Sequence, residues 1–186
     1  MMLDTNLTFT GGNTGSAQAI TSTAVASSGV LDLASGMLTG STYAAAPMTI
    51  GAATVFGEDL GNGILRLPFF ATIGTAFSGG TSLNIAIQGA VDAASGSYPA
   101  NISGLTWTTY AETGAIPVAS LGTANSQIDL PDWPHRQIKA ALPRFIRLLY
   151  TPVGTFSQGT IAFAGMVLQR SDIDVGYYPS GFSVGS

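Results

Sequence analysis

The chain has 186 residues, of which 46% are hydrophobic and only 9% charged, with a formal net charge of −4. That balance excludes wrapping a nucleic-acid backbone, which needs many phosphate-neutralising cations, and no apolar run approaches the ~20 residues that span a bilayer. There is no cysteine, which excludes disulfides and thiolate metal sites.

This length predicts a single domain that buries roughly 70% of its unfolded surface. Ordinary soluble domains carry about 25% charged residues. A surface so much poorer in charge dissolves badly alone, which points to partners that cover it. The opening MMLDTNLTFT has neither the basic region nor the apolar core of a signal peptide, so folding in the cytosol is expected.

In chain order, residues 1–16 alternate poorly and end in GGNTGS. They are expected to form an N-terminal arm whose Leu3, Leu7 and Phe9 dock onto a neighbour. The sandwich is then expected over 17–176 and a tail over 177–186. Gln18–Val25 and Val30–Leu33 read as short strands split by a turn at Ser27-Ser28-Gly29. From Ala34 to Asn62 the chain is rich in Gly, Ala and Thr, with strand propensity only near Met48–Phe56. A stretch this long and irregular is either functional or extended chain pinned by something else.

Ile64–Ile73 reads as a strand interrupted by Pro68, a residue that belongs at an edge or bulge. Gly79-Gly80 then predicts a hairpin into Ser82–Gln88, the cleanest alternation present. There Leu83, Ile85 and Ile87 point inward while Asn84, Ala86 and Gln88 point outward. Leu105–Tyr110 alternates Leu105, Trp107 and Thr109 against Thr106, Thr108 and Tyr110, and Ile116–Leu121 follows. Asp132 is placed to cap one short helix closed by Pro143.

The stretch Leu142–Arg170 reads as a hairpin. Its strands Arg144–Thr151 and Thr160–Arg170 are joined by turn residues Pro152 and Gly154, and Gly159 supplies positive φ on re-entry. The second strand predicts Ile161, Phe163, Gly165 and Val167 on one face, with Ala162, Ala164, Met166 and Leu168 on the other. Both faces are apolar, so the strand is covered on both sides. The first strand carries Arg144 and Arg147 among large apolar residues, an unusual place for two arginines. Of the six cations, Arg136, Lys139, Arg144 and Arg147 fall in one stretch. They are either solvated strand and loop charges or a cationic patch that meets an acidic protein surface.

About eight short strands with Gly- and Pro-marked turns predict an all-β protein, an antiparallel β-sandwich of the jelly-roll kind. Reaction chemistry is not written in these residues. The single histidine, His135, stands between Pro134 and Arg136, and Gly181-Phe182-Ser183-Val184-Gly185 matches a nucleophile elbow with no helix or downstream acid and histidine to complete it. The carboxylate pairs Glu58-Asp59, Asp129 with Asp132, and Asp172 with Asp174 read as turn formers and caps. The last of these would share a strand face, an arrangement that suits Ca²⁺ with loop carbonyls. No catalytic residue, cofactor or metal is assigned. Trp107 reads as structural, while Trp133, Tyr177 and Tyr178 read as anchors for a protein contact.

Several segments together resemble the jelly-roll capsid cement, or decoration, proteins of tailed phages, the type described from a Bordetella phage. They are Met2-Leu3-Asp4, Gln18-Ala19-Ile20-Thr21, Val30-Leu31-Asp32-Leu33, the pair Leu65–Phe77 and Thr81–Gln88, Arg144–Thr151 with Gly159–Arg170, and Tyr178-Pro179-Ser180-Gly181-Phe182. The loop 34–62 stands outside the resemblance. The resemblance implies a non-enzymatic virion protein, made in the host bacterial cytoplasm and placed on the outer surface of the icosahedral head. There it would bridge major capsid protein subunits and associate with itself, as a dimer or else a trimer, with no nucleic acid or membrane as partner. The alternative from the residues is a carbohydrate- or receptor-binding module of a virion or tail. The expected protein-interface residues are Leu3, Leu7, Phe9, Trp133, Arg136, Lys139, Arg144, Arg147, Tyr177, Tyr178 and Phe182. Deleting residues 1–16 is expected to weaken attachment and spare the fold.

Overall fold

Alternating strands of this kind bury one face each and need a second sheet to cover it. The computed structural model describes residues 7–12, 15–33, 48–50, 52–57, 68–91, 102–131 and 143–166. Within them lie β1 (Thr8–Thr10), β2 (Gln18–Ala19), β3 (Val25–Ala26), β4 (Gly29–Asp32), β5 (Met48–Ile50), β6 (Ala53–Gly57), β7 (Phe69–Ile73) and β8 (Ser78–Gly79). They continue with β9 (Ser82–Ala90), β10 (Trp107–Glu112), β11 (Ile116–Pro117), β12 (Gln127–Leu130), β13 (Phe145–Val153), β14 (Phe156–Gln158) and β15 (Thr160–Met166). Short 3₁₀ turns occupy Ile102–Gly104 and Val118–Leu121.

The smaller sheet runs β1-β15-β7-β12, with β2 also on β15. The larger runs β10-β9-β13-β4-β6-β5, with β11 on β9 and β3 on β13, while β8 and β14 make a separate ribbon. Counted as eight principal strands (β1/β2, β3/β4, β7, β9, β10, β12, β13 and β15), the sheets read first-eighth-third-sixth and fifth-fourth-seventh-second. Consecutive strands mostly lie in opposite sheets. This is the antiparallel jelly-roll sandwich that the sequence predicts. A β5–β6 hairpin extends the larger sheet, and β6 lies parallel to β4, the one parallel pair among the described residues.

The core fills the space between the sheets. Leu83, Ile85 and Ile87 of β9 and Ile146, Leu148 and Tyr150 of β13 are buried there, facing Phe69, Ala71 and Ile73 of β7. Each such large side chain contributes about 1.5–3 kcal/mol relative to exposure. The β9 alternation is therefore read correctly from the sequence. A second, smaller cluster joins Ala90 of β9 and Phe145 of β13 to Val30 of β4 and Ile102 of the first 3₁₀ turn, with Leu105 and Trp107 packed against it.

Several local expectations are corrected. The 142–170 stretch is not a hairpin: β13 joins the larger sheet and β15 the smaller, so the connection crosses between layers. Gly79-Gly80 likewise carries the chain from β7 in one sheet to β9 in the other, and β8 pairs with β14. Both glycines take positive φ, 70° and 60°, as a sharp corner requires. Ser27–Gly29 is not a turn between separate strands, because β3 and β4 both pair with β13. Ser27 interrupts that one edge, its hydroxyl accepting from the Leu148 amide at 3.0 Å and donating to the Gly29 carbonyl at 2.8 Å. Pro68 directly precedes β7, outside its ladder.

The alternation expected along β15 fails at a register shift between Ile161 and Phe163. An extra residue there reverses which side chains point inward. Ile161, Ala164 and Met166 consequently share the core, and Phe163 turns out to meet Phe70 at 5.2 Å. The N-terminal arm is corrected too. Residues 8–10 are a strand paired with β15, and Leu7 and Phe9 are 3% and 1% exposed in this chain's own core. Intrachain burial claims both before any neighbour can. The expected helix between Asp132 and Pro143, the tail 177–186 and residues 34–47 lie outside the described residues.

Candidate functional site

Five charged side chains fall within the described residues: Asp32, Glu112, Asp129, Arg144 and Arg147. Their placement separates the two arginines that the sequence grouped together. Arg144 sits at the start of β13, where its backbone bridges Ala90 and Leu33 of the flanking strands. Its guanidinium donates from Nε to Asp32 Oδ1 at 3.0 Å and from Nη2 to Asp32 Oδ2 at 3.3 Å. Asp32 is fully buried, Arg144 is 9% exposed, and the guanidinium lies 4.9 Å from the Phe145 ring centre. This is a two-pronged buried ion pair that ties β4 to β13. The expected interface role of Arg144 is corrected on that ground: its charge is spent inside the fold.

Arg147 is different. The strand register builds rows across β13, β9 and β10 on the outer face of the larger sheet. Phe145, Ala90 and Trp107 form one row; Arg147, Gln88 and Thr109 the next; Leu149, Ala86 and Glu112 a third. A register shift between Thr109 and Ala111 brings Glu112 onto the same face as Trp107. Arg147 is half-buried, leaning with its guanidinium carbon 4.0 Å from the Trp107 ring centre. Its Nε donates to Gln88 Oε1 at 3.0 Å, and Gln88 Nε2 donates to Thr109 Oγ1 at 3.4 Å. Trp107 is held in turn by its indole N–H, which donates to the Ile102 carbonyl at 3.2 Å. Burial lowers the Arg147 pKa to about 10, which still leaves it protonated at neutral pH.

The remaining charges of the described surface are exposed and locally bonded. Glu112 accepts from Asn84 at 2.8 Å, and Asp129 accepts from Gln127 at 3.1 Å. Asp129 is on β12 of the other sheet, so it does not join the Arg147 face. Leu3, Trp133, Arg136, Lys139, Tyr177, Tyr178 and Phe182 lie outside the described residues, as do Asp132, Asp172 and Asp174.

Sequence reasoning took Trp107 as structural and missed its pairing with Arg147. The available signal was the parity of β13. Ile146, Leu148 and Tyr150 all point into the core, which forces Arg147 onto the opposite face beside whatever β9 and β10 supply. Comparison with protein-family models and with curated proteins finds no match for this chain.

Proposed function

We propose that this chain is a capsid cement protein of a tailed phage. It binds the outside of the icosahedral head, bridges major capsid protein subunits, and carries no catalytic role. The observation that supports this most is where the family-like segments fall. Gln18–Thr21 contributes β2, Val30–Leu33 most of β4, Leu65–Phe77 β7, Thr81–Gln88 most of β9, and the last pair β13 and β15. The resemblance thus runs along the strands that build both layers of the jelly roll, instead of residing in one loop.

The charge-poor surface supports the same reading. Of the described charged side chains only Glu112 and Asp129 are exposed, which suits a protein whose surface is covered by others in an assembly. A cement protein that binds only the expanded shell stabilises that state by linkage, in proportion to the logarithm of its occupancy ratio. Self-association as a dimer adds further contacts across capsomer junctions. The sugar-binding alternative calls for an aromatic ring open to a pyranose face. Trp107, the one tryptophan among the described residues, is overlaid by Arg147 and packed on the Phe145 cluster.

The test is co-sedimentation of the purified protein with expanded heads that lack it, together with their thermal rupture temperature. Saturable binding that raises the rupture temperature is expected. A folded protein that leaves both unchanged overturns the proposal in favour of glycan or receptor binding.

A further inference from the structure

We propose that the Arg147–Trp107 pair is the anion-accepting contact of this protein, and that it takes a single Asp or Glu carboxylate from the surface of a partner protein. Naming the shell protein as that partner rests on the cement reading; the carboxylate chemistry does not.

A guanidinium removed from water needs a counter-charge or a full set of acceptors. Arg144 has its counter-charge in Asp32, which accepts two of its hydrogen bonds. Among the described residues Arg147 has no carboxylate partner, only the Gln88 amide oxygen and the Trp107 ring. The nearest described acidic position on this face, Glu112, is one row away and bonded to Asn84. Desolvation already lowers the affinity of Arg147 for its proton. Its Nε is used and one plane of the group is covered, so the free edge is the Nη pair, the edge that grips a carboxylate through two parallel hydrogen bonds.

The surroundings select the kind of anion. Around Arg147 stand Thr109, Leu149 and Ala86, short or apolar and uncharged, with Glu112 at the far end of the next row. A single guanidinium with a free Nη edge matches one carboxylate. A phosphate chain or nucleic acid needs several cations converging on it, and among the described residues this face offers one. The sheet face is broad, and Trp107 stands on its edge strand β10 beside Arg147, an aromatic and arginine pairing of the kind that anchors protein contacts. Trp107 and Gln88 hold the guanidinium in place before the partner arrives, so little side-chain freedom is lost on binding.

The test has two arms. In a W133F background Trp107 is the sole tryptophan, and its fluorescence is followed while hexaglutamate is added, with hexalysine as control. Hexaglutamate is expected to give a saturable change that hexalysine does not, weakened at least tenfold by R147M, which keeps the packed stem. R147K, charged but without the planar fork, is expected to fall between. In the second arm wild type and R147M, matched for thermal unfolding, are sedimented with expanded heads. At least tenfold weaker binding by R147M is expected. Equal binding of R147M and wild type to heads overturns the Arg147 contact and leaves the cement reading standing. An Arg147-dependent hexaglutamate response from a protein that ignores heads keeps the contact and overturns the cement reading. Loss of response in neither variant, or no response at all to hexaglutamate, overturns the contact outright.

Discussion

The hydroxyls of Thr10 and Tyr150 lie 2.9 Å apart, both buried, and join the two sheets through the core across 140 positions of sequence. Thr10 Oγ1 also lies 3.0 Å from Gln18 Oε1, an oxygen that only accepts, so the threonine proton goes there. Tyr150 must therefore donate to Thr10. Gln18 Nε2 completes the relay at the Ala26 carbonyl, 2.6 Å away. A chain of three bonds thus links β13, β1, β2 and β3 where two apolar layers alone would leave relative position loosely fixed.

The two ends of this relay are expected to respond unequally. Tyr150→Phe removes a donor and leaves Thr10 still bonded to Gln18, at a cost of about 1 kcal/mol. Thr10→Val leaves the Tyr150 hydroxyl and the Gln18 oxygen both short of a partner in the core, at about 1–3 kcal/mol. Urea unfolding of the two single variants and the double variant measures this. Equal losses that add in the double variant would dispose of the relay.

Burial also makes Tyr150 a source of alkaline sensitivity, since it raises the phenol pKa well above its usual value near 10. Above that pH the unfolded chain releases the proton while the folded chain keeps it, so stability falls as pH rises, by up to ~1.4 kcal/mol per unit. Arg147 works the other way: lowered to about 10, it sheds its proton in the folded state first. Comparing wild type with Tyr150→Phe between pH 9 and 11, a window set by these two pKa values, isolates the tyrosine. The variant is expected to lose stability less steeply with pH, and parallel curves would contradict the assignment.

Which parts of this were legible beforehand follows from where the information resides. The β9 pattern was readable because nine residues pair without a bulge against β13, so period two survives intact. The β15 pattern was not, because the extra residue near Ile161–Phe163 is a pairing event and leaves no mark in a uniformly apolar run. Gly159 was identifiable as a positive-φ residue, and it is one, at 154°. Layer assignment was not identifiable: a Gly-rich corner that folds a strand back on itself looks the same as one that sends it across the sandwich. The same limit governed the site. Arg144 and Arg147 are three apart in sequence, yet Asp32 claims one and Trp107 the other, through strands far away along the chain.

The Asp32–Arg144 pair should behave as a fold element. Arg144→Met or Asp32→Leu alone strands a charge in the core and is expected to cost about 3–5 kcal/mol. The double change Asp32→Leu with Arg144→Met removes both charges and should recover most of that loss. Thermal unfolding of the three variants decides it. Were Arg144→Met to leave the midpoint untouched while lowering attachment to heads, Arg144 would return to the interface.

Gly159 is predicted to tolerate no side chain. A Cβ there would overlap the Phe77 ring, which is already fixed edge-on to Phe156 at 5.1 Å. Positive φ adds backbone strain to the overlap. Gly159→Ala should cost about 2–4 kcal/mol from strain and repacking combined, against about 1 kcal/mol at Gly15, where nothing stands within 4 Å and only the φ term applies. Chemical denaturation compares them, and similar losses at both positions would mean that Phe77 yields freely.

The start of the chain supplies the last contrast. Were residues 1–16 only an arm, removing them would spare the sandwich and weaken contacts with a neighbour. Leu7 and Phe9 instead lie in the core, and Phe9 stacks on Phe69 with ring centres 5.8 Å apart. Losing both, at about 1.5–3 kcal/mol each, together with the β1 ladder and the Thr10 relay, removes a large part of the 5–15 kcal/mol that holds a typical domain. Deletion of residues 1–12 is therefore expected to yield a protein that unfolds at least partly at room temperature. Deletion of residues 1–6 keeps the described core intact and should leave the thermal midpoint near wild type. A fully cooperative, undiminished transition in the longer deletion would restore the arm and remove β1 from the structural account.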